Sequence, residues 1–259
     1  MPDENQNKIN CSLSVLIVAR NEESALPQCL NSVSFADEVI VVLDRSVDNS
    51  KNIAESFSAR VYEGEWPIEG DRRNFGINIC SSNWILEVDA DEVVSPSLKK
   101  EILNILNKPL CDYFLIPFDN YIGDKLVRYG WGSSWGVSAA PRLFRKGHKE
   151  WGNQRIHPKL SLKGTRGHLY NKMIHYVDRD ISDMMDRLNR YTFYKSLDLI
   201  ESGNIGSLPN NIRRFFSRFI KCFFIRKGYK EGIYGFMIAL MAGLFPLISH
   251  IRARIEINK

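Results

Sequence analysis

The stretch Trp84-Ile85-Leu86-Glu87-Val88-Asp89-Ala90-Asp91-Glu92 decides the fold. Its first five residues read as a short buried strand that stops at Asp89. Two carboxylates separated by one residue at a strand end can hold a divalent cation against a diphosphate, because Mg²⁺ and Mn²⁺ prefer oxygen ligands. The cation would neutralise charge growing on a departing nucleoside diphosphate. Acidic turns are common, however, so the weight of Asp89-Ala90-Asp91 comes from what surrounds it.

Upstream, the same order recurs. Leu13 to Ala19 is a β-branched apolar run, followed by polar Arg20-Asn21-Glu22-Glu23 and a helical pattern through Leu26, Cys29, Leu30 and Val33. Glu38 to Leu43 is a second buried strand, Asp44 to Ser50 a polar loop, and Ile53, Ala54 and Phe57 one face of a helix. A third strand fits Ala59 to Tyr62, and Arg72 to Cys80 reads as a helix leading into Trp84. Alternating strands and helices specify a mostly parallel sheet flanked by helices, an α/β fold. Ligands of such sheets bind beyond the carboxyl ends of the strands. The polar clusters Arg20–Glu23, Asp44–Asp48 and Asp89–Glu92 all fall there, so a convergent site is expected.

Downstream, from Cys111 to about Tyr176, the pattern breaks into short runs with Gly, Pro and Trp, as in Tyr129-Gly130-Trp131-Gly132-Ser133-Ser134-Trp135-Gly136. That segment suits either a mobile lid with a sugar-stacking surface or a packed irregular stretch. Asp178 to Ser202 reads as a helix that Gly203 stops.

The net charge of +5 is uneven: Ser207 to Lys259 carries ten Lys or Arg against two acids, or +8, leaving −3 for the rest. Within it, Ile212 to Lys230 interleaves seven cations with Phe215, Phe216, Phe219, Ile220, Phe223, Phe224 and Ile225, which suits the headgroup region of an anionic bilayer. Nucleic acid is the competing anion, but no nucleic-acid-binding motif accompanies it. Gly232 to Ile251 has no formally charged side chain and is long enough to span a bilayer. Its Gly232, Gly235, Gly243, Pro246, Ser249 and His250 favour an interfacial or re-entrant anchor. A true span and a helix packed on the catalytic domain are the remaining readings. Five scattered cysteines without a C-x-x-C pair point to buried thiols in a reduced compartment. Met1 to Asn10 has no basic stretch leading into an apolar one, so no secretory signal is expected.

Four motifs in order, Val18-Ala19-Arg20-Asn21-Glu22-Glu23, Val42-Leu43-Asp44 with Asp48-Asn49-Ser50, Asp71 to Ile77, and Ile85 to Glu92, resemble family 2 glycosyltransferases of the GT-A (Rossmann-like) fold. The resemblance implies that Asp44 and the loop of Ala19, Arg20 and Glu22 hold uracil and ribose. It implies that Arg72 and Asn74 lie along the nucleotide, that Asp89-Ala90-Asp91 serves the ribose-diphosphate and metal, and that the reaction is inverting. Arg142-Leu143-Phe144-Arg145, Arg155-Ile156-His157, Gly164 to Leu169 and His175-Tyr176 look like the lipopolysaccharide inner-core β-glucosyltransferase branch. That branch often has an acid where this chain has Pro158.

An inverting transfer to a hydroxyl needs a proton acceptor opposite the leaving group. Glu150 and His157 are the candidates, with Asp112 and Asp119 behind them, and Asp91 completes the catalytic set. His157 or His175 can instead join Asp89 and Asp91 around the metal.

The expected organisation is a catalytic domain over 1–206, with a donor half of about 11–110 and an acceptor half of about 111–206, followed by a basic, apolar membrane-association region over 207–259. The expected function is transfer of a hexose from a UDP-sugar, with Mg²⁺ or Mn²⁺, to a lipid-linked glycan or glycolipid, on the cytoplasmic face of a bacterial inner membrane. A nucleotidyltransferase is the rival enzyme, without the usual Gly-rich phosphate loop near Ala19. A catalytically inactive sugar-nucleotide binder, suggested by Pro158, is the non-enzymatic rival.

Overall fold

The computed structural model describes residues 11–132, 135–155 and 158–256, which form two compact units. The first comprises residues up to Pro117 with Ala139–Gly152 and Leu160–Ile174; the second comprises Phe118–Ser138, Asn153–Lys159 and the chain from His175 onward.

The first unit begins with β1 (Leu13–Ala19), α1 (Leu26–Ser32), β2 (Glu38–Asp44), α2 (Ser50–Ser56), β3 (Arg60–Gly64), α3 (Glu69–Ile79), β4 (Trp84–Asp89), β5 (Glu92–Val94) and α4 (Pro96–Asn107). β1 is buried at every position, as a strand covered by helices on both faces must be. It pairs in parallel with β2 on one side and β4 on the other, with Val18 opposite both Val42 and Asp89. The carboxyl ends of the three strands therefore stand abreast, as the alternating pattern requires. α3 starts close to where Arg72 was expected to open it, and α4 is capped by Ser95, whose hydroxyl accepts from the Leu98 amide, with Pro96 in its first turn.

The region expected to be irregular contains seven strands: β6 (Tyr113–Ile122), β7 (Lys125–Val127), β8 (Ala139–Arg145), β9 (Lys149–Trp151), β10 (Leu160–Leu162), β11 (Arg166–His168) and β12 (Met173–Asp178). The main sheet runs β3-β2-β1-β4-β8-β6-β12-β5, parallel across its first four strands and antiparallel where β8 meets β4 and β6. β9 and β10 form a separate ribbon. The mixed α/β architecture is that of a GT-A fold.

The second unit is built on α5 (Ile181–Glu201), α6 (Leu208–Ile220), which continues into a π turn over Lys221–Ile225, and α7 (Ile233–Glu256). Asp180 caps α5 by accepting from the Asp183 amide. Trp131 and Trp135 are buried among Met184, Leu188, Ile238, Ala239 and Phe245. Those two tryptophans thus pack as core, which decides against an open stacking surface for them; Ser133 and Ser134 lie outside the described residues. α5 packs against α7 and α7 against α6, so residue 206 does not separate the compact units. The units interleave along the chain, unlike the consecutive division expected, because apolar faces of α5 and α7 need each other.

Candidate active site

β2 ends at Asp44, which is buried beyond what an isolated turn carboxylate tolerates and is fully occupied. It accepts from the Trp66 amide (3.0 Å), from Arg45 Nε (2.9 Å) and Nη2 (3.0 Å), and from Arg72 Nη1 (3.2 Å). Burial pushes its pKa up, but the Arg45 bond, the Trp66 amide and Arg72 outweigh that and hold it below the ordinary carboxylate value. Arg72 Nε is buried with no hydrogen-bond partner among the described residues. A half-buried guanidinium with an unused donor is suited to an anion.

Asn21 and Arg45, just past the ends of β1 and β2, adopt left-handed backbone conformations (φ 56° and 51°). Such residues persist where the surroundings hold them. Here the two loops are laced together: Asn21 Oδ1 accepts from the Val47 amide (2.9 Å), the Glu22 amide donates to Ser50 Oγ (3.0 Å), and the Glu23 amide donates to Asp48 (2.9 Å). The rim that carries exposed Arg20 and half-buried Glu22 is thereby fixed beside Asp44, while Ala19 is buried in β1.

At the end of β4 lies an ionic cluster that the motifs did not announce. Glu87 is wholly buried, and its Oε1 accepts from Arg73 Nη1 (2.5 Å) while Oε2 accepts from Lys149 Nζ (2.5 Å) and Trp151 Nε1 (3.3 Å). Arg73 also donates to Asp89 Oδ1 (2.9 Å) and to Glu69 (2.9 Å). Arg142 Nη2 bonds both Asp89 Oδ2 and Glu92 Oε1. Three cations thus meet the carboxylates of Glu87, Asp89 and Glu92, which is how charge survives at this depth. Burial alone would raise the Glu87 pKa, yet Lys149, Arg73 and Arg142 bring it down to about 2. Burial lowers Lys149 to about 8 despite Glu87, with Arg142 and Arg73 adding repulsion. Asp89 is likewise held well below the ordinary range, burial being overcome by Arg142 and Arg73.

This geometry sorts the expected residues. Asp44, Arg72, Asp89, Ala90 and Asp91 gather at the strand ends, with Ala90 buried and Asp91 half-buried. Asp89 has an arginine on each oxygen, which leaves each oxygen one further lone pair. Asn74 is committed elsewhere: its amide donates to the Trp151 carbonyl (2.8 Å) and accepts from the Trp151 amide (2.9 Å), tying α3 to β9. Glu150 is exposed on β9 between Lys149 and Trp151, and because strand side chains alternate it faces away from the side on which those two reach Glu87. Asp112 accepts from the Thr165 amide and hydroxyl and pairs with Arg145, a structural role.

His157 lies outside the described residues. His175 belongs to the second unit, where Nδ1 meets Asn120 Oδ1 (2.9 Å) and the ring lies 5.5 Å from Phe118. Among the described residues no three His, Cys, Asp or Glu side chains form a metal-ready group. One carboxylate still suffices for Mg²⁺, which keeps several waters and binds through one or two carboxylates plus substrate phosphates. The ionic partnership of Arg73 and Lys149 with Glu87 was missed, although a glutamate inside the apolar run of β4 signalled that buried cations must meet it.

Comparison with known proteins addresses the fold and the family. An uncharacterized glycosyltransferase of Rickettsia bellii is 29% identical over 252 residues, covering 88% of this chain and 81% of that one. The lipopolysaccharide core biosynthesis glycosyltransferase LpsC of Rhizobium meliloti is 21% identical over 258 residues, covering 92% and 90%. The crystal structure of S. aureus TarS 1-349 in complex with UDP is similar in fold, with a TM-score of 0.50 and 15% identity over 85% of this chain and 75% of that one. Against the longer S. aureus TarS chain the match spans 86% of this chain but 46% of that one, with a TM-score of 0.49. The family model of glycosyl transferase family 2 matches residues 14–173, more than half of the chain. The chain belongs to glycosyl transferase family 2.

Proposed function

We propose that this family 2 glycosyltransferase is an inverting hexosyltransferase that takes its sugar from a UDP-sugar and adds it to a lipid-linked glycan or glycolipid of surface-polysaccharide biosynthesis, at the cytoplasmic face of a bacterial inner membrane. The observation that carries the donor half is the Arg72–Asp44 pair at the end of β2, with the end of β4 that leads into Asp91 standing abreast across β1. Asp44, held ionised, exchanges one of its Arg45 bonds for the uracil N–H, and the unused Arg72 donor meets the diphosphate. Asp91 would hold Mg²⁺ or Mn²⁺, which would supply positive charge against that developing on the departing UDP. Arg73 and Arg142 keep Asp89 ionised and immobile so that it can accept from a ribose hydroxyl. The similarity to LpsC supports a lipopolysaccharide-type acceptor. Glu150 and His157 are the proton acceptors to test.

The deciding experiment is Mn²⁺-dependent release of nucleoside diphosphate from a panel of sugar nucleotides, with and without a glycolipid extract, for wild type and Asp91→Ala. Release from one uridine donor that needs metal and disappears in the variant is the expected result. Nucleotide binding without release under any condition would replace this reading with an inactive binder. With an active preparation, Glu150→Gln retaining full turnover would pass the proton acceptor's role to His157.

A further inference from the structure

The exposed apolar side chains of the second unit are ordered. On α6 and its π-turn continuation, Leu208, Ile212, Phe216, Ile220 and Phe224 recur at every fourth position, and all are exposed, Phe216 at 58%. The inward positions, Asn211, Phe215, Phe219 and Cys222, are buried or half-buried. On α7, Ile233, Phe236, Leu240, Leu247, Ile251 and Ile255 recur at spacings of three, four or seven residues, exposed towards both ends (67% at Ile233, 63% at Ile255) and half-buried at Leu240 and Leu247. α6 and α7 pack side by side, with Phe219 edge-on to Phe236 (5.7 Å). At the other end Leu208, Ile251 and Ile255 line one groove, so the two stripes meet there.

Charge borders this apolar face. From Leu208 to Lys230 there are seven Lys or Arg and no acid. Arg213 and Lys221 each follow a stripe residue by one position, about 100° round the helix, and are exposed. Exposed Lys227 and Lys230 lie in the turn between the helices.

Two occupants suit an apolar stripe: another protein surface or a lipid surface. A second copy would bring the same uncompensated cations to the interface, since a two-fold contact opposes identical patches. An anionic bilayer offers acyl chains to the stripe and phosphates to its border. α7 is long and apolar enough to cross, but more than half of its apolar window is buried, with Ile238, Ala239, Met241, Ala242 and Phe245 packed among Trp131, Trp135, Met184 and Leu188. A crossing would strip that face from its core.

We propose that the outward stripe of the α6–α7 hairpin docks the chain on an anionic bilayer, with Phe216, Ile220 and Phe224 in the headgroup–acyl boundary and Arg213 and Lys221 at the phosphates, without crossing. This deepens the reading above and rests on it only for the acceptor being lipid-linked.

The test is co-sedimentation of the full chain, without nucleotide or acceptor, with vesicles of phosphatidylcholine alone or mixed with phosphatidylglycerol. The wild type partitions to the anionic vesicles and is released by raised salt. Phe216→Asp/Phe224→Asp lowers the partition coefficient about ten-fold or more, and Arg213→Glu/Lys221→Glu removes the preference for phosphatidylglycerol. Both variants retain the wild-type circular dichroism and melting temperature, which distinguishes lost docking from lost folding. Wild type remaining in the supernatant, or variants that bind as wild type does, overturns the proposal. So does a wild-type dimer that Phe216→Asp/Phe224→Asp makes monomeric, since a second copy then covers the stripe. A wild type that binds vesicles but not UDP overturns the donor reading and leaves the docking surface standing.

Discussion

Glu87 sits between Leu86 and Val88 in the middle of β4, where a lone carboxylate would be expelled or neutralised. Replacing it with Gln keeps the shape and leaves Arg73, Arg142 and Lys149 with too little negative charge. Glu87→Gln should cost about 3–5 kcal/mol in urea unfolding at neutral pH. The pH dependence follows from the same pairing. The folded pKa of about 2 lies below the ordinary 4.5, so between these values the unfolded chain binds more protons. The stability Glu87 contributes is complete above about pH 4.5 and is lost as pH falls towards 2, and Glu87→Gln should flatten that part of the wild-type acid limb. Asn74 gives the opposite kind of prediction. Asn74→Ala loses both bonds to Trp151 and should cost about 1–3 kcal/mol of stability, while the affinity for UDP, measured on the folded variant, stays within about two-fold. A large loss of affinity without a loss of stability would return Asn74 to the nucleotide. Asp44 and Asp91 could be read from motifs because they stand at or just past strand ends, and Arg72 because it opens the helix read before β4. Arg73, Arg142 and Lys149 could not be joined to Glu87 in advance, since they arrive from α3, β8 and β9 and only the fold makes them neighbours.

Among the elements, β1, β2 and β4 were legible because a strand covered on both faces is a continuous apolar run. β6 was not, although its ten residues alternate strictly between half-buried and buried. Pro117, Asp119 and Asn120 interrupt its apolar pattern, and the partners that tolerate them come from distant parts of the chain. The three-residue strands β7, β9, β10 and β11 are too short to carry any period. The seating of α3 makes a sharper test of packing. A Cβ on Gly76 would lie 2.4 Å from Leu16 Cδ1, the end of a side chain that can turn, whereas a Cβ on Gly70 would lie 1.9 Å from the Gly152 carbonyl oxygen. Gly76→Ala should lower stability by about 1–2 kcal/mol, since helix propensity returns part of the loss. Gly70→Ala should cost more, as backbone must move, and thermal melts of the two variants should rank them so.

For the whole molecule, the basic tail also supplies core, through α7. Truncation after residue 206 removes α6 and α7 and uncovers Trp131, Trp135, Met184 and Leu188, so the shortened chain should aggregate or bind a hydrophobic dye rather than remain a soluble enzyme. Its basic charge was legible from composition, but which apolar residues face inward depended on α5. The chain also passes between its two compact units five times. Neither unit can therefore close while the chain is short: the first needs residues up to Ile174, where β12 joins the sheet. At roughly 5–20 residues per second of synthesis, the 85 residues from Asp89 at the end of β4 to Ile174 take about 4–17 s. During that interval β1, β2, β3 and β4 can pair among themselves while the far half of the sheet is missing, so the yield of folded enzyme should fall when chaperone capacity is limited and when the ribosome slows.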